Sequence, residues 1–368
     1  MVLENAVRGA SYGRDRHRAW RATARVLVLA VAVTVASCAQ RQGPVVARRL
    51  GPPLCKEGPP SWETSDGQQL MYRTWGPLHG PPRAVVVGVP GWNGTAGDME
   101  PLSRSLARRG IVSYSTGVRG QHGDLSAASH RTKGHIDDGR LWERDFYEFV
   151  EWVQRRHQGT PLFLYGQSMG SLTAMLVLGE ASHSGAIKVS GIILHSPAVA
   201  MMYASPVLRL GVGRLRSFKP QGLLFNVGLI SGEKPALTNS AKFDRHWGLS
   251  EDRVRPGFSW AFFDETLKLG ARARAAAAAM QAPVMVLTGD KDPIGTAGVG
   301  QRAFARFMRS IPSQEKERQR FWDGYHDLIH DSNARQAVQC VGDWLDRQLV
   351  VPKTSLAQMR LQPSAHDL

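Results

Sequence analysis

The sequence predicts an α/β fold with a mostly parallel central sheet, helices on both faces and an inserted helical cap. Short β-branched apolar runs alternate with segments of helical period, which predicts the sheet and its helical layers. Residues 197–282 break this alternation and lack a buried strand of their own, which predicts the cap. With 368 residues, of which 42% are hydrophobic, the chain is long and apolar enough for a packed core.

Five apolar runs are predicted to be buried strands, and a more polar run is a candidate sixth strand. The strands are expected at 84–89, 111–115, 162–165, 191–194 and 284–287, and the polar candidate lies at 315–322. Helices are expected at about 98–109, 138–157, 169–182, 300–310 and 332–349, and the cap returns to the sheet through an Ala-rich helix at 272–280.

The N-terminus has the pattern of a secretory signal. Six Arg side chains precede an apolar run, 26–37, which is too short to span a bilayer and ends in small residues before Cys38. This ending resembles the bacterial lipoprotein box, which implies cleavage after residue 37 and lipidation of the Cys38 thiol. A plain signal peptide and an uncleaved anchor remain the alternatives. We expect an exported lipoprotein, anchored in a membrane of the bacterial cell envelope and facing the periplasm.

The rest of the chain divides at composition changes. Residues 1–37 are the expected signal, and residues 38–60, rich in Pro, Gly and Arg, are the expected tether. Residues 61–350 are expected to form one domain that includes the cap, followed by a flexible tail at 351–368.

Cysteine usage leaves one question open. Three cysteines are too few for a disulfide scaffold. In an exported chain, Cys55 and Cys340 either form a disulfide or remain separate buried thiols.

The net charge of +15 falls to +11 once residues 1–37, with six Arg and two acidic residues, are removed. Residues 197–282 carry 12 Lys+Arg against 6 Asp+Glu, and Arg209, Arg214, Arg216 and Lys219 interrupt an apolar stretch there. Such a lid suits a substrate with an acyl chain and an anionic head, or an anionic membrane; an ordinary solvated helix face explains it equally well. A nucleic-acid partner is not expected, because basic and aromatic residues are not interleaved.

The sharpest chemical signal is a strand that runs into G-x-S-x-G and then into a helix. Residues 162–165 lead into Gly166, Ser168 and Gly170, which is the pattern of a nucleophile elbow. The turn is tight, so its flanking side chains must be very small. It lifts the Ser168 hydroxyl above the carboxyl edge of the sheet and directs the backbone N–H of Met169 toward the same space.

A serine nucleophile needs a base and an acid that orients the base. Asp290 and Asp292 both follow the strand at 284–287, and the spacing G-x-x-D favours Asp292, while Asp290 is expected to bond the loop backbone. His326 and His330 both follow the candidate last strand. His326 comes just after a Gly-containing turn and is favoured as the base, because His330 lies at the start of the last helix.

An oxyanion needs two preorganised N–H donors. Met169 supplies one, and the loop after the first parallel strand, 89–94, is expected to supply the other. We favour the N–H of Trp92, with Asn93 second. The Trp92 side chain is a candidate wall of an acyl pocket.

These motifs together resemble the monoacylglycerol lipase and lysophospholipase-like group of α/β-hydrolases, also called the serine aminopeptidase S33-like hydrolases. The resemblance covers roughly residues 65–348 and rests on the elbow, the stretch 289–292 and the pair Tyr325-His326. This chain departs from the family pattern where Pro90 replaces His, Gly117 replaces Asp, and Gln167 replaces the His of the elbow.

The resemblance implies a serine hydrolase that cleaves carboxylic esters, with monoacylglycerols or lysophospholipids as the leading substrates. The triad would be Ser168, His326 and Asp292, acting through an acyl-enzyme. Peptidase or thioesterase activity on the same triad remains open, as does a lipoprotein that binds a lipid without catalysis. No metal-ligand cluster, phosphate loop or dinucleotide fingerprint occurs in the sequence, so no cofactor is expected. The oligomeric state is not predicted.

Overall fold

A computed structural model of the protein describes residues 60–77, 79–125, 133–225, 237–239, 257–292, 294 and 299–350. The expected signal, Cys38, Cys55 and the expected tail lie outside these ranges, as do all but the last residue of the tether and part of the expected cap. The lipid attachment and the Cys55–Cys340 pairing therefore stay predictions.

An eight-stranded sheet forms the centre of the described structure. Its strands are β1 (Ser61–Glu63), β2 (Gln69–Trp75), β3 (Ala84–Val89), β4 (Ile111–Thr116), β5 (Leu162–Gln167), β6 (Val189–His195), β9 (Val284–Gly289) and β10 (Lys316–Phe321), and a separate pair is formed by β7 (Leu223–Phe225) and β8 (Phe258–Ser259). The order across the sheet is β1-β2-β4-β3-β5-β6-β9-β10. The six strands from β4 to β10 are parallel, and β1 and β2 are added antiparallel at one edge.

The helices of the described ranges are α1 (Glu100–Arg108), α2 (Arg140–Arg156), α3 (Met169–Ser184), α4 (Val199–Met202), α5 (Pro206–Phe218), α6 (Trp260–Ala277), α7 (Val299–Ser310) and α8 (Ala334–Val350). None of them has the length and apolar character that crossing a membrane requires.

All six predicted strands are present, and the fold is the expected α/β-hydrolase fold. The strand β3 shows why the sheet is buried on both faces. Val85 and Val87 pack into the larger core under α2, α3 and α6, whereas Ala84 and Val86 pack into the smaller core under α1 and α8. Because side chains alternate along a strand, a continuous apolar run fills both cores. The edge strand β10 is more polar because only its last residue is fully buried.

The segment predicted as a cap differs in one detail from the expectation. Residues 197–282 do contain a short buried strand, β8, which pairs antiparallel with β7. The predicted Ala-rich helix is the C-terminal part of α6, which begins earlier, at Trp260. Ser259 caps α6, since its hydroxyl accepts a hydrogen bond from the N–H of Phe262 at 3.1 Å.

Candidate active site

The candidate site lies at the carboxyl edge of the parallel sheet. Strands β3, β5, β6, β9 and β10 run in one direction, so the loops that follow them meet at this edge. Every predicted site residue of the described ranges follows one of these strands.

Ser168 occupies the turn between β5 and α3. Its backbone has φ 54° and ψ −115°, a conformation that is strained for a non-glycine residue. The turn is held from below, because the N–H of Ser168 donates to the carbonyl oxygen of His195 on the neighbouring strand at 2.9 Å. This is the geometry of the predicted nucleophile elbow.

The two elbow glycines are required by the close approach of backbone segments. A Cβ added to Gly166 would lie 2.5 Å from the carbonyl oxygen of Gly170. A Cβ added to Gly170 would overlap the carbonyl oxygens of Val89 and Pro90. Both side chains must therefore be hydrogen, as the tight turn predicts.

Of the two candidate acids, only Asp292 contacts the candidate base. Asp292 is fully buried, and its Oδ1 lies 2.9 Å from Nδ1 of His326. The same oxygen accepts the N–H of Ile294 at 2.8 Å, which fixes the carboxylate in the loop. Asp290 instead forms an ion pair with the half-exposed Arg320.

The hydrogen bond of His326 to Asp292 fixes the tautomer of this candidate base. Asp292 accepts the Nδ1–H of His326, so Nε2 carries the free lone pair. Nε2 is buried and, among the described residues, has no hydrogen-bond partner. The other candidate, His330, bonds Asp327 at 3.0 Å instead.

The pKa of His326 is raised above 6.5. Burial by itself lowers this pKa, but the charge of Asp292 and its hydrogen bond outweigh the burial, with a smaller contribution from the charge of Asp327. Asp292 thus favours the imidazolium that forms when the base accepts a proton.

The Ser168 hydroxyl and His326 are at the same edge, but no hydrogen bond joins these two described side chains. Without substrate, a serine–histidine bond is often loose and tightens only in the complex. The structure thus brings Asp292 and His326 into direct contact, and it places Ser168 on the adjacent elbow without that last bond.

The loop after β3 lies against Ser168. A Cβ added to Gly91 would come within 2.9 Å of the Cβ of Ser168. Of the two candidate donors in this loop, the N–H of Asn93 is already donated to the side-chain carbonyl of Gln121. In the described structure, no acceptor is bonded to the N–H of Trp92, which favours Trp92 over Asn93 as the second donor.

Gln121 supports the loop after β3, a role that is not predicted from the sequence. Its side chain is fully buried and holds Asn93, whose φ of 58° is in the left-handed region. Its only sequence signal is its place in the stretch 117–123, whose pattern departs from the family. Since Gln121 fixes Asn93, it also fixes the adjacent Trp92.

An aromatic cluster surrounds the Trp92 side chain. Its ring lies 5.1 Å from the ring of Phe258, 5.2 Å from Phe262 and 5.7 Å from Phe263, centroid to centroid. These rings come from β8 and α6, so the segment 197–282 packs directly on the loop that carries the candidate oxyanion donor. The contact is apolar, and Phe258 and Phe262 are fully buried in it.

The basic residues of α5 are less available than the sequence indicates. Arg216 forms ion pairs with Asp264, at 2.7 Å, and with Glu265. Arg209 donates to backbone carbonyls, including that of Leu267 at 3.0 Å. Both guanidinium groups therefore hold α5 on α6, and only Arg214 and Lys219 of the four cations are exposed.

No three His, Cys, Asp or Glu side chains among the described residues are grouped so that they could hold a metal ion.

Solved structures of other proteins superpose on most of this chain. A structure of a soluble variant of monoglyceride lipase from Saccharomyces cerevisiae, in complex with a substrate analog, superposes with a TM-score of 0.65 at 20% identity and covers 84% of this chain and 99% of that one. The monoacylglycerol lipase of Paleococcus ferrophilus superposes with a TM-score of 0.61 at 20% identity, over 76% of this chain and 99% of that one. The fold is therefore the α/β-hydrolase fold.

The family is shown by the sequence. The family described as "Serine aminopeptidase, S33" matches residues 80–333, more than half of the chain, and the chain belongs to this family. A monoglyceride lipase of Rattus norvegicus is 26% identical over 299 residues, which cover 79% of this chain and 91% of that protein. A monoacylglycerol lipase of Mycolicibacterium smegmatis is 26% identical over 285 residues, which cover 76% of this chain and 93% of that protein.

Proposed function

We propose that this carboxylic ester hydrolase cleaves monoacylglycerol-like or lysophospholipid-like esters with Ser168 as nucleophile, His326 as base and Asp292 as orienting acid. The observation that carries the proposal is the buried Asp292–His326 pair at the edge where the elbow presents Ser168, in which Nε2 of His326 has no partner among the described residues. A plain structural histidine has no reason to keep a buried, unbonded nitrogen.

The proposed reaction is acyl transfer to water in two steps. Nε2 of His326 takes the proton of Ser168 as Oγ attacks the ester carbonyl, and the N–H groups of Met169 and Trp92 stabilise the oxyanion. His326 then returns the proton to the leaving alcohol, which leaves an acyl-enzyme. Water, deprotonated by His326, releases the fatty acid.

The substrate class is supported by two facts. The two relatives described above, which each match more than three quarters of this chain, are named monoglyceride lipase and monoacylglycerol lipase. The half-buried rings of Trp92 and Phe263, 5.7 Å apart beside the candidate oxyanion loop, offer an apolar wall for an acyl chain.

The test is hydrolysis by the purified full chain, with Ser168→Ala as control. The substrates are nitrophenyl esters from acetate to palmitate, then monoacylglycerols and lysophosphatidylcholine. We expect Ser168-dependent turnover of a medium or long acyl ester. Turnover of amides or thioesters but of no oxygen ester would replace the proposed substrate class. Undiminished turnover by Ser168→Ala would remove Ser168 from the nucleophile role.

We also propose, from the sequence of residues 1–38, that the enzyme is exported and held at a bacterial cell-envelope membrane by lipid on Cys38. Such an anchor keeps the active site near lipid substrates.

A further inference from the structure

His195, at the end of β6, contacts both halves of the candidate site. It is fully buried, and both of its ring nitrogens are hydrogen-bonded. Nδ1 lies 2.6 Å from the hydroxyl of Tyr165, and Nε2 accepts the backbone N–H of Leu328 at 3.0 Å. Leu328 is two residues after His326, so the imidazole is bonded to the loop that carries the candidate base.

The hydrogen bonds fix the form of this imidazole. Because Nε2 accepts an N–H, it has no proton, and the neutral ring carries its proton on Nδ1 and donates it to Tyr165. Burial lowers the pKa of His195 to about 4, so the ring stays neutral at the pH at which His326 can act as a base.

The backbone of the same residue holds the nucleophile. The carbonyl oxygen of His195 accepts the N–H of Ser168 at 2.9 Å and the hydroxyl of Ser171 at 3.3 Å. The Ser171 hydroxyl also donates to the carbonyl oxygen of Gly166 at 2.6 Å. Through Ser171, the residues before and after Ser168 are both linked to the carbonyl of His195. One residue therefore bonds the elbow through its carbonyl and the histidine loop through its side chain.

Other contacts hold the histidine loop to different parts of the fold. The N–H of Tyr325 donates to Asp331 at 2.7 Å, and the carbonyl of Gly324 accepts from Lys291 at 2.8 Å. These bonds tie the loop to the residues just before α8 and to the loop after β9. Among the described residues, the His195–Leu328 bond is the one that ties it to β6, the strand whose last residue also bonds Ser168.

We propose that His195 is a positioning residue that sets the placement of His326 relative to Ser168. The proposal rests on the proposed function, because it gives a role to the distance between the two catalytic groups. A displacement of about 1 Å between reacting groups costs on the order of 100-fold in rate. Loss of the single bond between His195 and Leu328 should therefore lower kcat.

Two substitutions separate the two ring contacts. The amide of His195→Asn reaches about as far as Nδ1, so it can keep the Tyr165 bond and loses the Leu328 bond. The longer His195→Gln places its amide oxygen near the position of Nε2, where it can accept the Leu328 N–H. Tyr165→Phe removes only the hydroxyl and is the matched control for one lost buried hydrogen bond.

The measurements are kcat and KM on the best ester, the rate of fluorophosphonate labelling and the thermal midpoint, all on the full chain. We expect His195→Asn to lower kcat and the labelling rate at least about tenfold with KM nearly unchanged. We expect His195→Gln to recover most of that loss. Tyr165→Phe should lower the thermal midpoint but leave kcat within about threefold of the wild type.

The proposal is overturned if Asn, Gln and Phe variants lose kcat in proportion to their loss of stability, since that is the behaviour of a core residue. It is also overturned if His195→Asn keeps full kcat. Failure of the proposed function has a different signature: Ser168→Ala then retains activity, or the wild-type enzyme is neither active nor labelled.

Discussion

Ser168 and Asp292 have side-chain environments that suit opposite tasks. The serine lies on a strained turn above the sheet edge, whereas the carboxylate is fully buried and bonded on one oxygen by both His326 and Ile294. The backbone of Ser168 is held in this conformation by its own N–H and by the hydroxyl of Ser171, which both bond the carbonyl oxygen of His195. Roles in the proposed triad therefore follow from each residue's surroundings.

The two aspartates after β9 provide a matched pair. Asp292→Asn is expected to lower kcat by about 10⁴-fold, because the amide favours the wrong tautomer of His326. Asp290→Asn is expected to stay within a few-fold of wild type, because Asp290 pairs with Arg320 near the surface. Steady-state kinetics of both variants check this, and the reverse ranking would give the acid role to Asp290.

The pH profile reports on the base. His326 acts only when it is neutral, and its pKa lies above 6.5. The value of kcat/KM should therefore rise with pH through a midpoint above 6.5. In Asp292→Asn the midpoint of the residual kcat/KM should move to lower pH. Burial lowers the pKa of His326, and the charge of Asp292 then no longer outweighs it. A wild-type midpoint below 6.5 would contradict this account of the Asp292–His326 pair.

At the scale of elements, the close contact between the elbow helix and the loop after β3 sets the site. Helix α3 begins so near β3 that Gly170 touches the backbone of Val89 and Pro90. This contact brings the N–H of Met169 and the Trp92 loop to one side of Ser168. The packing of α6 on α3 and the aromatic cluster then covers that side.

Two glycines in helices should respond oppositely to Ala. Gly170→Ala is expected to destabilise the protein by about 1–3 kcal/mol and to reduce activity, because the new methyl overlaps two carbonyl oxygens. Gly211→Ala in α5 has no heavy atom within 4 Å of its Cβ and should gain about 0.5–1 kcal/mol. Urea unfolding measures both, and an unperturbed, active Gly170→Ala would refute the close approach.

The ion pairs of Arg216 are one of the contacts that hold α5 on α6. Arg216→Met removes them but leaves Lys268 paired with both Asp264 and Glu265, so it should cost about 1–3 kcal/mol. Arg214→Met is the control, because Arg214 is exposed and should change the free energy of unfolding by less than about 0.5 kcal/mol. Equal effects in urea unfolding would show that Arg216 does not hold the two helices together.

At the scale of the whole molecule, the central sheet and the order of site residues could be predicted, because both depend on local patterns. Apolar runs gave the parallel strands, and the elbow motif with the order Ser, Asp, His gave the candidate triad. The antiparallel strand β2 escaped prediction because Leu70 is its only fully buried residue. The roles of Gln121 and His195 escaped because their partners are distant in sequence.

The proposed anchor is tested separately from the catalytic site. In a bacterial host, the wild-type chain should incorporate a palmitate analogue and fractionate with membranes. Cys38→Ser should lose the label, while Cys340→Ser, which changes a half-buried thiol of α8, should keep it. Label retained in Cys38→Ser would rule out Cys38 as the lipidated residue.

The most direct test of the central claim is to treat the full chain with a fluorophosphonate and locate the adduct by mass spectrometry. This reagent reacts with a serine only when a neighbouring base activates it. We predict one adduct, on Ser168, with labelling lost in Ser168→Ala and strongly slowed in His326→Ala. No adduct, or an adduct that persists in Ser168→Ala, would contradict the assignment of Ser168 as the nucleophile.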